Sequence, residues 1–441
     1  MAKKARTWDI IYNISSFNTP LITKYNELSP RESKIQELYT QTDQSKRKNI
    51  YSEICQKDEN TFKETEIFLN KVQNHSQKFG FKDVMHWVLD EEVDPIDWNN
   101  LFKNQNYKVA IANYAQNNVT YRKNILGLEN YHFWDHWYLE DSNKDISIYT
   151  KIFKDTFESS LSFIKSFYDQ LGLLKIYENI DFIKKENTAT YALIHEDNGL
   201  WINEIYISER GTGCKMGSIQ YLSTLAHETG HIVQSRHIKS PKDHFFMAPN
   251  PLNETLSMFF EYLILTKPFI SQFDIGQQTL INLLKQIKIE NTQKIIRILE
   301  FLEFETEIYQ IHQSKNLTSS VMSETYKKIR KAYYGFENNT LEDHTWMRGL
   351  FYLAYSPFKQ RSYVIGYLLS NILIDQFLST ISNNQVTNAS KDFLNQVIIN
   401  CSDKGSFNTW EDYQNACNLT SPIDTDFIIN GITKALSPSI I

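Results

Sequence analysis

Glycine and proline are scarce, at 14 and 10 in 441 residues. So few breakers exclude a fold built on many tight turns. With abundant Lys, Glu, Gln, Ile and Leu, the expectation is a mainly α-helical protein. Cysteine is scarcer still. Cys55, Cys214, Cys401 and Cys417 stand far apart and form no C-x-x-C pair, which argues against a disulfide framework and a thiolate metal site and suits free thiols in a reducing compartment. There is no excess of positive charge: 46 basic residues face 52 acidic ones, for a formal net charge of -6. Neither nucleic acid nor an anionic membrane is therefore an expected partner. No uninterrupted apolar run approaches the roughly 18 residues of a membrane span. The basic start (Lys3, Lys4, Arg6) leads into no apolar stretch of signal-peptide kind. A cytoplasmic location is expected.

The length permits a large buried core, and the chain contains neither an internal repeat nor a low-complexity linker. Polar-rich helices are predicted from Arg31 to about Phe79, closed by Gly80 as a C-terminal cap. Further helices follow over 81–126, with a break at Asp94-Pro95, and another is predicted from near Ile148 to Leu171. The pattern changes near residue 189. In Trp201–Ser208, Ile205 and Ile207 alternate with Glu204, Tyr206 and Ser208, the period of a half-buried strand. Ile205, Tyr206 and Ile207 on a free strand edge would pair with an extended peptide; a purely structural ribbon fits the same spacing equally well.

A helix is predicted to start near Ser218 and to carry His227-Glu228-Thr229-Gly230-His231. Positions four apart share one helical face, so His227 and His231 can hold one metal ion, with Glu228 set toward a water on it. This is the H-E-x-x-H arrangement of zinc hydrolases. A catalytic zinc takes a third protein ligand and leaves one position for water. Downstream, Asn253 reads as an N-cap after Pro249 and Pro251, and Glu254, Ser257 and Glu261 fall on one face of the helix that follows. Glu254 is the expected third ligand. Glu261 is expected to orient a ligating histidine. The competing reading is a solvated acidic face.

The run Tyr221–His231, together with Glu254, Ser257 and Glu261 in an E-x-x-S-x-x-x-E pattern, resembles the zinc oligopeptidases typified by thimet oligopeptidase and oligoendopeptidase F. Leu126-Gly127-Leu128 with Asp135, Gly366–Ser370, and the tail from Phe393 through Gly431 extend the similarity more weakly, to about residues 45–435. The resemblance implies a helical metallopeptidase with a deep cleft and a small β-sheet beside the zinc helix. On that reading 1–185 form an N-terminal helical part and 186–441 the zinc-binding part of one continuous domain. One Zn2+ per chain and oligopeptide substrates are implied. Tyr363 and Tyr367, one turn apart, are implied as donors to the oxyanion, with Tyr352 and Tyr355 in reserve and Tyr355 on the substrate side. Three departures stand out. The histidine expected near Leu353 is missing, with His344 nine residues too early. Gln234 occupies a position where relatives often carry histidine, with His237 nearby. Much of the usual N-terminal lobe is also missing.

The function expected is that of a metalloendopeptidase in which Glu228 takes the proton of a zinc-activated water and passes it to the leaving amine. A zinc carboxypeptidase of related fold, and a non-catalytic peptide-binding helical protein, are the alternatives. Oligomeric state is left open. His195, His132, Trp134, His136 and Trp137 are read as structural.

Overall fold

The computed structural model describes residues 37, 41–54, 59–78, 80–91, 94–132, 134–135, 157–185, 190–197, 200–208, 218–238, 252–273, 276–314, 317–335, 346, 357–404 and 409–436. These form α1 (Gln44–Ile54), α2 (Glu59–Lys78), α3 (Val84–Glu91), α4 (Trp98–Lys103), α5 (Gln105–Ile125), α6 (Phe157–Gln170), α7 (Leu174–Tyr177), β1 (Asp181–Lys185), β2 (Tyr191–Asp197) and β3 (Leu200–Ser208). After them come α8 (Ile219–Arg236), α9 (Thr255–Leu263), α10 (Lys267–Ile270), α11 (Gln277–His312), α12 (Ser319–Tyr334), α13 (Gln360–Ser379), α14 (Asn388–Ser402), α15 (Trp410–Ala416) and α16 (Thr425–Ala435). Among the described residues the protein is mainly α with one small sheet; the composition predicts the helices and the family resemblance implies the sheet. No helix among the described residues is long and apolar enough to cross a membrane.

The chain divides into two compact units. One comprises Met1–Asn143, Ile296–Arg361 and Ile429–Ile440; the other comprises Lys144–Ile295 and Ser362–Ile428. In the first, Arg47 donates through Nε and Nη2 to Asp135 Oδ1 at 2.9 and 2.7 Å, while Asp135 Oδ2 accepts from Gln44 and from the His132 amide. Both charges are buried, a case in which complete hydrogen bonding offsets desolvation. His132 stacks on the buried Trp134 at 4.4 Å. Asp135, His132 and Trp134 thus act as framework; His136 and Trp137 lie outside the described residues. Gly80 has φ 85° at the end of α2, the cap its sequence predicts. Ahead of α13, Phe358 has φ 62°, an uncommon conformation for a bulky residue, and its buried N–H donates to Glu305 Oε1 at 2.7 Å.

The second unit holds the sheet, in the order β1-β3-β2. β3 is central. It pairs in parallel with β1 from Asp181↔Glu204 to Lys185↔Ser208, and antiparallel with β2 from Tyr191↔Tyr206 to Asp197↔Leu200. The period-two reading of β3 holds: Asn203, Ile205 and Ile207 are buried and Glu204 and Tyr206 are half-buried. The free-edge reading does not. Both edges of β3 are occupied, and Ile205 and Ile207 are fully buried core residues, so neither they nor Tyr206 offers a ladder to a peptide. Among the described residues the edge strands of this sheet are β1 and β2. Of the helix predicted over 148–171, residues 148–156 lie outside the described set and Phe157–Gln170 form α6.

Candidate metal centre

Helix α8 begins where the sequence places it. Ser218 caps it, its hydroxyl accepting from the Tyr221 amide. Leu222, Leu225, Ala226, Ile232 and Val233 are buried, and Tyr168 on α6 donates to the Ala226 carbonyl at 3.0 Å. Against α8 lies α9. An added Cβ on Gly230 would stand 2.8 Å from the Ser257 Cα and 3.1 Å from Phe260 Cδ2. Only a glycine lets the two backbones approach this closely. Gly366 does the same for α13, where a Cβ would meet Met258 Sδ at 2.8 Å and the Glu254 carbonyl carbon at 3.1 Å.

These contacts bring three donors together. His227 Nε2 and His231 Nε2 lie 3.3 and 3.4 Å from Glu254 Oε2. The rings are 5.0 Å apart and inclined at 81°, so they converge from two directions. Among the described residues this is the one group of three or more His, Cys, Asp or Glu arranged to hold a metal ion. Zinc bonds of about 2.0–2.2 Å to nitrogen and oxygen put tetrahedral donors roughly 3.3–3.5 Å apart. The observed spacings meet that value, and a carboxylate with two imidazoles is a normal zinc donor set.

Glu254 is itself the N-cap residue of α9, one position later than the predicted Asn253, and makes no side-chain capping bond. Its carboxylate sits at the helix's positive end, and Ser257 Oγ donates to Oε2 at 3.1 Å as well as to the Glu254 carbonyl. The serine of the E-x-x-S pattern therefore fixes the glutamate rotamer. Glu261 lies behind His227: its Oε2 accepts from Nδ1 at 2.7 Å, and its Oε1 accepts from Lys294 Nζ at 2.8 Å. A carboxylate can only accept, so Nδ1 carries a proton, and Nε2 is the nitrogen that would give its lone pair to a metal on exchanging its own proton for the ion.

The electrostatics call for a cation here. Burial alone would lower the His227 pKa, but hydrogen bonds and charge from Glu254 and Glu261 outweigh it and raise it to about 10. Burial pushes Glu261 up, yet Lys294 and His227 prevail and hold it near 2. Glu228 does not join the donor set. Burial raises its pKa, and its Oε2 accepts from the Ala192 amide at 2.8 Å. Ala192 is on β2, an edge strand among the described residues, and this N–H turns to Glu228 on α8. Tyr367 on α13 is nearly buried and meets the Tyr262 ring edge-on at 5.8 Å; Tyr363 is half-buried one turn earlier. Tyr352, Tyr355, His344 and Leu353 lie outside the described residues. His237 bonds the Val233 carbonyl of its own helix, and Gln234 donates to Tyr413, so neither meets the three donors.

Sequence reasoning missed Ala192, which acts through its backbone, and Lys294, 33 residues beyond Glu261. It also missed the reason for Gly230, although the glycine inside the motif was a readable signal of close packing.

Residues 216–392 match the model of peptidase family M3. None of the curated proteins matches the chain. Among solved structures, the fold is similar to PZ peptidase A with an inhibitor: TM-score 0.70, 16% identity, covering 97% of this chain and 76% of that one. A protein from Bacillus anthracis str. Ames described as an oligoendopeptidase F gives 0.62 and 16%, covering 96% and 74%. The M32 carboxypeptidase from Deinococcus radiodurans R1 gives 0.58 and 12%, covering 97% and 80%.

Proposed function

We propose that this chain, whose residues 216–392 match the model of peptidase family M3, is a zinc-dependent metallopeptidase that cuts oligopeptides at internal bonds. His227, His231 and Glu254 hold the metal, one ion per chain. The observation that carries this reading is the spacing of their donor atoms, 3.3 and 3.4 Å about Glu254 Oε2, close to that of tetrahedral zinc. Zinc supplies Lewis acidity toward water and the scissile carbonyl. Glu228 is the general base and then the acid: it takes a proton from the attacking water and returns it to the leaving amine. Its burial raises its pKa, the direction that suits a carboxylate that must take up a proton before passing it on. The Ala192 amide holds one of its oxygens and leaves the other for the water. Tyr363 and Tyr367 are the candidate phenol donors to the developing negative charge; their helix abuts the Glu254 backbone through Gly366.

The fold is shared with endopeptidases and with a carboxypeptidase, so cleavage mode is read from products. Purified protein is expected to contain about one zinc per chain and to cut a peptide library at internal bonds. Stepwise loss of C-terminal residues would replace the endopeptidase by a carboxypeptidase. Glu228→Gln should keep its zinc and lose cleavage by at least about 100-fold. Full activity in that variant would remove Glu228 from the reaction, and a chain without stoichiometric zinc would remove the metal.

A further inference from the structure

The orienting carboxylate behind His227 is itself oriented. Glu261 is buried, and each of its oxygens has a separate partner: Oε2 takes the His227 Nδ1 proton at 2.7 Å and Oε1 takes Lys294 Nζ at 2.8 Å. The two oxygens leave the carboxylate from opposite corners of one plane, so two donors fix that plane where one would let it swing. Lys294 comes from α11, an element apart from both α8 and α9, and its side chain, 39% exposed, reaches inward to a group that is 5% exposed. Without the ammonium, Oε1 would be a buried charged acceptor with one donor fewer, a costly state. The carboxylate would turn to recover hydrogen bonds, and the bond to Nδ1 would be the one to suffer. His227 Nε2 would then lose its aim at Glu254 Oε2.

We propose that Lys294 is a positioning residue of the metal centre, holding Glu261 so that His227 presents Nε2 to the ion. This rests on the reading of His227, His231 and Glu254 as the zinc ligands. Partners beyond the ligands themselves are worth about 10–100-fold in metal affinity, and a residue one step further out should fall at the lower end.

Zinc dissociation constants would be measured by competition with a chromophoric chelator on the full chain, for the wild type, Lys294→Met, Lys294→Arg and Lys285→Met. Lys285 is an exposed lysine of the same helix and controls for the loss of one surface charge. Lys294→Met is expected to bind zinc about 10-fold more weakly. Lys294→Arg, which keeps charge and donors, should restore most of the affinity, and Lys285→Met should match the wild type. Zinc binding in Lys294→Met that is unchanged or tighter overturns the proposal, as does Lys294→Arg binding as weakly as Lys294→Met. A wild type that binds no stoichiometric zinc sinks the zinc reading itself, and the proposal with it; that result is distinct from a wild type that binds zinc while Lys294→Met binds it equally well.

Discussion

Replacing Gly230 by alanine tests the packing that assembles the centre. In an open helix this change stabilises, because alanine is favoured over glycine by about 1 kcal/mol. Here the new Cβ would lie 2.8 Å from Ser257 Cα and 3.2 Å from the Leu256 carbonyl oxygen, both backbone atoms, with Phe260 Cδ2 at 3.1 Å. Reaching an ordinary contact of 3.4 Å requires α8 and α9 to part by about 0.6 Å. Overpacking of this kind costs about 1–3 kcal/mol, which leaves a net destabilisation of roughly 1 kcal/mol once the helix preference is credited. The functional effect should be larger. His227 and His231 are on one helix and Glu254 caps the other, and a metal site tolerates only about 0.2 Å in its bond lengths. Denaturant unfolding of the metal-free protein should show the loss of stability, and chelator competition should show weaker zinc binding. A Gly230→Ala protein that is more stable than the wild type, with zinc affinity intact, would refute the close-contact argument.

Other outcomes follow from the same geometry. Tyr363→Phe and Tyr367→Phe should separate the two phenols: the one that donates to the reacting oxygen should lower kcat by about 10- to 1000-fold with zinc content unchanged, and normal kcat in both variants would dismiss the pair. The metal-free protein should show two pH limbs. The His227 pKa is raised from 6.5 to about 10, so its contribution is full below pH 6.5 and is lost as pH rises toward 10. The Glu261 pKa is lowered from 4.5 to about 2, so its contribution is full above pH 4.5 and is lost as pH falls toward 2. Each limb is on the order of a few kcal/mol, and unfolding midpoints measured from pH 3 to 10 would reveal them. Zinc should abolish the alkaline limb, because His227 then holds metal in place of a proton; a metal-free protein equally stable from pH 5 to 9 would contradict the assigned hydrogen bonds.

The centre was largely legible in the sequence because its parts follow local periodicities. The i, i+4 histidines and the Glu254, Ser257 and Glu261 row are helix-face patterns, and the Ser218 cap is a local signal. What failed was non-local. The residues of β3 alternate as an edge strand's do, but whether an edge is free depends on its neighbours: β2 pairs with it across a two-residue connection, and β1 closes the other side from further back in the chain. Asp181–Lys185, with its two lysines, gave no strand signal strong enough to foretell a third partner. Lys294 sits on a 36-residue helix in which no spacing marks it out from its neighbours. Glu254 was found by its distance from Glu261, whereas its place at the cap depends on how the preceding turn closes.

The unit that holds the metal centre is not continuous in sequence: Lys144–Ile295 is completed by Ser362–Ile428. That arrangement has a consequence in time. Every group proposed to hold or orient the ion has left the ribosome once Lys294 has, but the helix that packs Gly366 against Met258 and Glu254 comes later. At about 5–20 residues per second, the stretch from Lys294 to Ile428 takes on the order of ten seconds. For that interval α8 and α9 carry an apolar surface still lacking its cover, and a metal-binding set without its final packing. Co-translational metal loading, or protection of that surface by a chaperone, would have its window there, and a chain stopped after residue 295 would retain the ligands without the unit that gives them their spacing.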